Sequence, residues 1–332
     1  MKTVLTGIKP TGYIHLGNLL GAIKPAIEMS QSDEYDRSLF FIADAHALTS
    51  VRDPKLYREY VYEVAATWIA LGLDTDKSIF YKQSDIKEIF ELTWMLSCMT
   101  PKGDLNRAHS YKDKVQKNQE QGRDPDYGVN MGLFQYPVLM SSDILLFNSN
   151  SVPVGKDQVQ HVEIARSIAQ RINETYKQEI LTLPQEITQK HGAYVVGLDG
   201  RKMSKSYGNT IPIWSTEKKL KKTINKITTD CSAPEDPKDP NNCTVMELYR
   251  LFATTEQISA LEKRYLEGVG WGHAKQELFE VTNEYLKGPR EIFNDLINNK
   301  DEIDKILDKG AKRARVIANE TMDRLRMAMT GF

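Results

Sequence analysis

The chain carries at residues 38–43 the run SLFFIA, which is small or apolar at every position and contains no charge. Apolar side chains at consecutive rather than alternate positions are typical of a strand buried on both faces, as in a parallel sheet. Asp44 and His46 follow directly. Polar groups just past the carboxyl end of a strand mark the edge where open parallel sheets bind ligands. We therefore predict a parallel sheet with a ligand site at this edge.

Other strands and helices alternate around this run. Strand-like segments begin at residues 4–5 and recur at 78–82, 152–154 and 192–196. Apolar residues at helical spacing lie between them at residues 56–73, 86–99 and 158–172. This alternation predicts an α/β fold with a doubly wound, parallel, Rossmann-like sheet. Residues 100–130 are more polar and are expected to form an inserted helical hairpin.

Residues beyond 206 show helical patterns and no strand pattern. The expected helices lie at about 215–226, 245–251, 255–265, 274–286, 290–297 and 302–329. Several carry Lys or Arg on one face, which is either simply solvated or suited to a phosphate backbone. The sequence thus predicts a C-terminal all-helical domain.

Composition excludes several classes of protein. The 332 residues include 44 Lys and Arg against 45 Asp and Glu, so the chain is not a polybasic binder as a whole. No apolar run approaches the roughly 20 residues that a membrane helix needs, and we expect a cytoplasmic protein. Cys98, Cys231 and Cys243 form no close pair, so neither a zinc site nor a disulfide is predicted. We expect Cys98 to be buried and no metal to be bound by protein side chains.

A phosphate-binding turn is predicted near the start of the chain. A strand runs into the glycine turn GIKPTG at residues 7–12, and a helix then begins within YIHLGN at residues 13–18. This arrangement aims backbone N–H groups and the positive end of the helix dipole at an anion. His15 and Asn18 would face the same way and donate hydrogen bonds to phosphate oxygens, and Gly17 allows close approach. The alternative for His15 is an ordinary surface histidine.

A second basic element lies at residues 201–206, RKMSKS, which we call the lysine loop. Glycine-rich flanks at residues 197–200 and 207–209 should let this loop move. The ammonium groups of Lys202 and Lys205 suit a polyphosphate whose negative charge grows as a bond breaks. The alternative is a solvated basic loop without a ligand.

Asp143 is a carboxylate within an otherwise apolar stretch at residues 133–147. Burying an ion is costly unless a partner is supplied. Asp143 is therefore either a structural helix cap or the acceptor of a hydrogen bond from a largely apolar ligand, with Met140 on the same helical face. A second strand–glycine–helix turn, VPVGKDQ at residues 152–158, places Asp157 to take a ribose hydroxyl. Lys112, in the polar insertion, faces either the site or solvent.

Two short motifs carry a family resemblance. HLGN at residues 15–18 and KMSKS at residues 202–206 resemble the paired signatures of class I aminoacyl-tRNA synthetases. GIKPTG, VPVGKDQ and MSSDILL at residues 140–146 are similar to segments of bacterial tryptophanyl-tRNA synthetases, and the resemblance extends to the final helix. It implies ATP-dependent activation of L-tryptophan to tryptophanyl-adenylate, with Mg²⁺ on the phosphates, followed by transfer to the 3′ end of tRNA(Trp) in protein synthesis. It also implies a homodimer without membrane attachment.

The resemblance assigns domains and residue roles. It implies a catalytic domain at residues 1–206 and a tRNA- and anticodon-binding helical domain at residues 207–332, whose last helix packs back toward the first domain. His15, Asn18, Lys112, Lys202 and Lys205 would act in catalysis. ATP would be bound by Lys9, Pro10, Thr11, Gly17, Asn18, Gly155, Lys156, Asp157, Val195, Lys202, Met203, Ser204, Lys205 and Ser206. Tryptophan would be bound by Asp143, Met140, Tyr136, His46 and Gln158.

The sequence departs from the family pattern in places, and three alternatives remain at this stage. Lys9 and Lys156 stand where the family often has Gln and Glu, and the stretch after Lys112 is longer than in many relatives. The nearest alternative is a tyrosyl-tRNA synthetase, which the Met140 and Asp143 stretch disfavours. The others are a tRNA-binding or regulatory protein that has lost adenylation, and a small-molecule nucleotidyltransferase of the same fold.

Overall fold

A computed structural model describes residues 1–188 and 194–332 of the chain. Its sheet has five parallel strands: β1 (Thr3–Ile8), β2 (Arg37–Ile42), β3 (Ile79–Lys82), β4 (Ser151–Pro153) and β5 (Gln185–Ile187). Their spatial order is β3-β2-β1-β4-β5. The predicted doubly wound α/β sheet is confirmed.

The SLFFIA run forms most of β2 and is buried on both faces, as predicted. Phe40 and Ile42 belong to the hydrophobic cluster on one face of the sheet, and Leu39 and Phe41 belong to the cluster on the other. Successive side chains of a strand point to opposite faces, so a strand packed on both sides needs apolar residues throughout.

Helices cover the sheet and make up the C-terminal part. They are α1 (Leu16–Asn18), α2 (Lys24–Ser30), α3 (Asp44–Ala47), α4 (Pro54–Ala70), α5 (Lys87–Met99), α6 (Lys102–Asn106), α7 (His109–Glu120), α8 (Met131–Leu145), α9 (Val159–Tyr176), α10 (Glu217–Ile224), α11 (Thr244–Tyr249), α12 (Thr255–Glu267), α13 (Trp271–Asn298) and α14 (Lys300–Thr330). A π-helical turn, Leu19–Ile23, joins α1 to α2.

Several predicted elements differ from the structure. Tyr194 and Val195 are not in a strand, Val196 makes only an isolated antiparallel bridge to Lys202, and residues 192–193 of that predicted strand lie outside the described residues. The fifth strand is instead β5, whose sequence begins with the polar pair Gln185 and Glu186. The predicted insertion hairpin is the short α6 followed by α7, which leads by a turn into α8.

Two further predictions are wrong in the helical parts. The two helices expected at residues 274–297 are one helix, α13, which continues through Pro289. Cys98 is exposed rather than buried, because its side of α5 faces away from the core that Ile89, Leu92 and Leu96 enter.

The last helix, α14, lies against the sheet edge formed by β3. A Cβ on Gly310 would overlap the Phe80 carbonyl oxygen, so glycine permits this close approach. Arg313 donates from Nη1 to the Ser78 carbonyl at 2.9 Å and from Nη2 to that of Lys77 at 3.1 Å. One hydrophobic cluster also joins Leu16 and Met203 to Leu278 of α13, so the core continues across residue 206.

In residues 1–188 and 194–332, no helix is long and apolar enough to cross a membrane.

Candidate active site

The two glycine turns lie side by side at the carboxyl edge of the sheet. β1 pairs with β2 on one side and with β4 on the other. The chain runs outward from β1 through β2 to β3 and then returns to β4, so the strand order reverses between β1 and β4. Ligands of open α/β sheets bind at such a switch point. The turn at residues 9–12 follows β1, and the turn at Gly155 follows β4.

The lysine loop packs against the start of α1. The Gly17 N–H points at the Met203 sulfur, 3.3 Å away, across 186 positions of sequence. A Cβ on Gly17 would lie 3.5 Å from Met203 Cβ, and one on Gly12 would lie 3.1 Å from Lys205 Nζ. The structure therefore brings the KMSKS segment to the glycine turn and helix mouth of the HLGN segment.

His15 is the N-cap residue of α1, and its ring carries a nitrogen without a hydrogen-bond partner in the described chain. Its backbone N–H donates to Asn18 Oδ1 at 3.2 Å, while its ring Nδ1 is buried and has no hydrogen-bond partner within the described residues. A buried polar atom without a partner is costly, so an incoming ligand atom that bonds to it gains affinity. Burial, assisted by the charge of Lys205, lowers the pKa of His15 to about 4. The imidazole is thus neutral at pH 7.

Glu63 lies behind this site as a buried carboxyl. Its Oε1 accepts the Ile14 N–H at 2.7 Å. Burial raises the pKa of Glu63 to about 7, although the Ile14 hydrogen bond and the charge of Lys205 oppose the shift. Lys205 is exposed at the protein surface, but desolvation of its ammonium group still lowers its pKa, and nearby Glu63 opposes that shift. Glu63 is therefore partly protonated near pH 7.

A buried polar cluster surrounds Asp143 on α8. Asp143 is fully buried, and its Oδ2 lies 2.9 Å from His46 Nε2. Gln83 Nε2 donates to Asp143 Oδ1 at 2.8 Å and to Oδ2 at 3.0 Å. Burial raises the pKa of Asp143 despite these bonds. A carboxylate offers about four acceptor positions, so capacity remains for one further donor.

A second chain of polar contacts adjoins it. The Tyr136 hydroxyl contacts His161 Nε2, and His161 Nδ1 lies 2.9 Å from Gln158 Oε1. The Tyr136 and His46 rings are 6.3 Å apart, centroid to centroid. Met140 lies half-buried one helical turn before Asp143 and packs against the cluster of β3, α8 and α9. The structure thus brings together His46, Tyr136, Gln158, Met140 and Asp143.

The remaining predicted residues lie around these clusters. Lys9 Nζ donates to Thr49 Oγ1 at 2.8 Å, and burial lowers the Lys9 pKa. The Val195 carbonyl accepts the Met203 N–H at 2.8 Å. Pro10 is buried and Ser204 is half-buried. Exposed positions among the other predicted ATP-binding residues include Thr11, Gly155, Lys156, Asp157, Lys202 and Ser206. Lys112 is exposed on α7, and no hydrogen bond ties it to the site in the described chain.

Sequence reasoning missed Gln83, His161 and Glu63. Gln83 directly follows β3, so its position at the carboxyl edge of the predicted sheet was a usable signal. His161 and Glu63 lie inside helical patterns, where a polar residue usually faces solvent, and no signal marked them as buried. Within the two described segments, no group of three or more His, Cys, Asp or Glu side chains could hold a metal ion.

Comparison with known proteins agrees with this geometry. The family model of class I tRNA synthetases (W and Y) matches residues 1–287. The chain belongs to this family. A tryptophan–tRNA ligase of Pseudomonas putida is 51% identical over 98% of this chain and 73% of the relative. One from Neisseria meningitidis is 46% identical over 99% of this chain and 97% of its own length.

A solved structure of the family gives the same result for the fold. Tryptophanyl-tRNA synthetase from Campylobacter jejuni, complexed with ADP and tryptophan, superposes with a TM-score of 0.91 at 46% identity. The match covers 99% of this chain and 100% of that one. The C-terminal helical region is therefore part of the class I synthetase architecture found in that relative.

Glu63 should make stability depend on pH. The folded protein holds the Glu63 proton more tightly than the unfolded chain does. Ionisation of Glu63 therefore leaves the free energy of unfolding unchanged below about pH 4.5 and lowers it progressively up to about pH 7. Glu63→Gln keeps an acceptor for Ile14 and cannot ionise. We expect the variant to gain roughly 1–3 kcal/mol over the parent between pH 5 and pH 8, measured by urea unfolding.

The matched control for that measurement is Glu320→Gln on α14, where the side chain is exposed and forms no hydrogen bond or ion pair with a described residue. Its difference from the parent should stay nearly constant over the same pH range. Because the other titrating groups, including His15, are common to both proteins, they cancel in each difference. A constant difference for Glu63→Gln as well would show that burial does not raise the pKa of Glu63.

Proposed function

We propose that this chain is a tryptophan–tRNA ligase whose amino-acid pocket is built around Asp143 and whose ATP site lies between the two glycine turns. The observation that carries the proposal is the joining of the KMSKS and HLGN segments through Met203 and Gly17. The named activity of the relatives at about half identity supports it. The complex of the Campylobacter jejuni relative with ADP and tryptophan supports both ligands.

Tryptophan selection follows from the Asp143 cluster. The indole N–H is a donor only, and Asp143 retains one free acceptor position. His46 and Gln83 hold the carboxylate in place, so it need not reorganise when the ring enters. Phenylalanine would leave this buried acceptor unpaired, which disfavours it by a factor on the order of 10⁴ where such a site is well built.

Adenylate formation needs positioning and charge stabilisation rather than a side-chain nucleophile. The tryptophan carboxylate attacks the α-phosphorus in line, the bond from that phosphorus to the α–β bridging oxygen breaks, and pyrophosphate leaves. Mg²⁺ carried with the ATP would neutralise part of the phosphate charge. The helix mouth, His15, Asn18, Lys202 and Lys205 stabilise the charge that develops on the leaving group. The terminal ribose of tRNA(Trp) then takes the acyl group, and AMP is released.

The decisive experiment is amino-acid-dependent exchange of pyrophosphate into ATP. We expect exchange with tryptophan and at least a hundredfold less, in kcat/KM, with tyrosine. Asp143→Asn should raise the KM for tryptophan by about 10- to 100-fold, because a buried charged acceptor contributes roughly 1–3 kcal/mol. The KM for ATP should change by less than about twofold.

Asp295→Asn is the matched control for this exchange, since Asp295 is exposed on α13 far along the helical part. It should leave both KM values unchanged. A higher kcat/KM with tyrosine than with tryptophan would assign the chain to the tyrosine branch of the family, and no exchange with either would favour a binding protein that has lost adenylation.

Lys205 should act on the transition state and not on tryptophan binding. Lys205→Ala is expected to slow single-turnover adenylate formation by about 10²-fold or more, the typical loss for one preorganised donor. The affinity for tryptophan, measured by calorimetry, should change by less than about twofold. The control is Lys287→Ala, which removes an exposed lysine of α13. Parallel losses in both quantities would mean that Lys205 supports the fold.

We place the tRNA-contacting surface on the C-terminal helices. Lys218, Lys219, Lys221 and Lys222 of α10 are exposed, and none forms an ion pair with a described residue. Lysines without local counter-ions can replace the condensed cations of an RNA backbone. A steeper salt dependence of tRNA charging than of pyrophosphate exchange is the expected signature of such a surface.

We also propose a homodimer that buries one face of α5. Phe90 and Trp94 are 42% and 72% exposed, and exposed Cys98 continues the same row at a spacing of four residues. A large exposed aromatic row of this kind is typical of an interface. The apolar face of α4, by contrast, is buried in the chain's own core and offers no such surface.

Trp94→Glu should abolish this dimer. In sedimentation equilibrium the parent is expected at twice the single-chain mass of 37.9 kDa, and the variant at that mass. Ile292→Glu is the matched control, because Ile292 is an exposed apolar residue on α13. A parent that sediments as a single chain would refute the proposal.

A further inference from the structure

Asn209 is a buried residue that follows the lysine loop, and its side-chain amide forms hydrogen bonds to the loop and to the residues just before it. It is 3% exposed. Its Oδ1 accepts the Ser204 N–H at 2.8 Å, and its Nδ2 donates to Asp199 Oδ1 at 2.7 Å and to the Lys202 carbonyl at 3.2 Å. Its own backbone carbonyl accepts the Leu198 N–H at 2.9 Å. Both amide hydrogens and the amide oxygen are therefore engaged.

The surroundings of Asn209 are built to receive it. A Cβ on Gly197 would overlap the Asn209 side-chain amide and lie 2.7 Å from the Asn209 backbone oxygen. Arg201 holds the partner carboxylate, with Nε and Nη2 at 2.8 and 2.6 Å from Asp199 Oδ2. The hydrogen bond from Asn209, followed by those from Arg201, lowers the pKa of Asp199 to about 2. Asp199 is thus an ionised acceptor at neutral pH.

Two hydrogen bonds of the Asn209 side chain end at or next to the two lysines. One ends on the backbone of Lys202 itself, and another ends on Ser204, the residue just before Lys205. Ser204 also starts the turn Lys205–Tyr207, where its Oγ accepts the Ser206 N–H at 3.3 Å. All partners of the Asn209 side chain lie within residues 199–204. The amide therefore fixes the internal shape of the loop without tying it to the rest of the protein.

We propose that Asn209 is a positioning residue for adenylate formation, which keeps Lys202 and Lys205 in a fixed spacing and orientation within the lysine loop. This inference rests on the proposed function of the loop. Every hydrogen bond of the Asn209 side chain goes to residues 199–204, so the role assigned to it is exerted through the lysines and not on a substrate. Asn209 preorganises the two ammonium groups, so that less conformational entropy is lost when pyrophosphate begins to leave.

The test begins with Asn209→Ala. Single-turnover adenylate formation should slow by about 10- to 100-fold, since small misplacements of catalytic groups cost up to 10²-fold. Tryptophan affinity should change by less than about twofold. Asn242→Ala, at an exposed position, is the matched control and should equal the parent in both measurements. Adenylation within twofold of the parent in Asn209→Ala would overturn the proposal.

A combined variant separates positioning from general destabilisation. If Asn209 acts through the two lysines, then Asn209→Ala should add little further loss in a background that carries both Lys202→Ala and Lys205→Ala, because the groups being positioned are already absent. Losses that multiply would show that Asn209 acts through something other than these lysines, and would overturn the proposal.

A reversed pair provides a rescue. Asn209→Asp keeps the acceptor for Ser204 but sets a carboxylate oxygen against Asp199, so it should be as slow as Asn209→Ala. Adding Asp199→Asn restores a donor and an acceptor in the opposite order. The double variant should recover at least about threefold in rate over Asn209→Asp, as expected for directly coupled residues. No recovery would count against the role of the Asp199 bond.

Amide hydrogen exchange measures the hydrogen bonding of the lysine loop independently of enzymatic activity. In Asn209→Ala the Ser204 amide should exchange at least about tenfold faster, because it loses its partner, while amides of β1 stay unchanged. A parent protein without tryptophan-dependent exchange of pyrophosphate would refute the proposed function. The positioning role would then be judged by hydrogen exchange, and unchanged protection of Ser204 would refute it as well.

Discussion

The active-site geometry depends on the close approach of the lysine loop to the glycine turn and helix start at residues 9–18. Gly12 has φ of +133°, which side chains rarely permit, and its open face lies next to Lys205 Nζ. A Cβ on Gly17 would lie 3.0 Å from the His15 ring, so this glycine leaves room for the imidazole, while Met203 Cβ would be in ordinary contact at 3.5 Å. Met203 is 5% exposed, so the loop is anchored by apolar burial between its two lysines. This anchor holds the Lys205 ammonium beside the glycine turn while the segment that carries it remains packed.

The amino-acid pocket solves a different problem, which is to keep a carboxylate in the core. Asp143 would be expensive there alone, and breaking such a buried arrangement typically costs several kcal/mol. Gln83, which follows β3, stabilises the carboxylate by donating a hydrogen bond to it, and the Gln83 Oε1 in turn accepts the Ala45 N–H at 3.1 Å. The carboxylate is thereby linked to α3, the helix that follows β2. Residues from three elements hold one acceptor in place, which is the preorganisation that selectivity for an indole requires.

The sequence predicted the features that local chemistry determines. A strand buried on both faces, two glycine turns before helices and a carboxylate in an apolar run are each visible in a few residues. β5 was missed because Gln185 and Glu186 are polar and the strand is short. α13 was divided at Pro289 because proline disfavours a helix interior. Packing outweighs that preference: Leu286 and Phe293 are buried on either side, and Phe293 stacks on Trp214 at 4.3 Å. Such contacts lie far apart in sequence and leave no local signal.

The charges around the helix mouth are arranged for an anion that the protein itself does not supply. Desolvation lowers the pKa of Lys205 and of His15, so the protonated form of each group is poorly stabilised in the free protein. Glu63 is the nearest opposing charge, but its raised pKa leaves it partly protonated near pH 7. A polyphosphate entering this space would supply the missing negative charge and raise the pKa values of both bases. Binding energy is therefore available where charge accumulates on the leaving group, and this favours the transition state over the bound substrate.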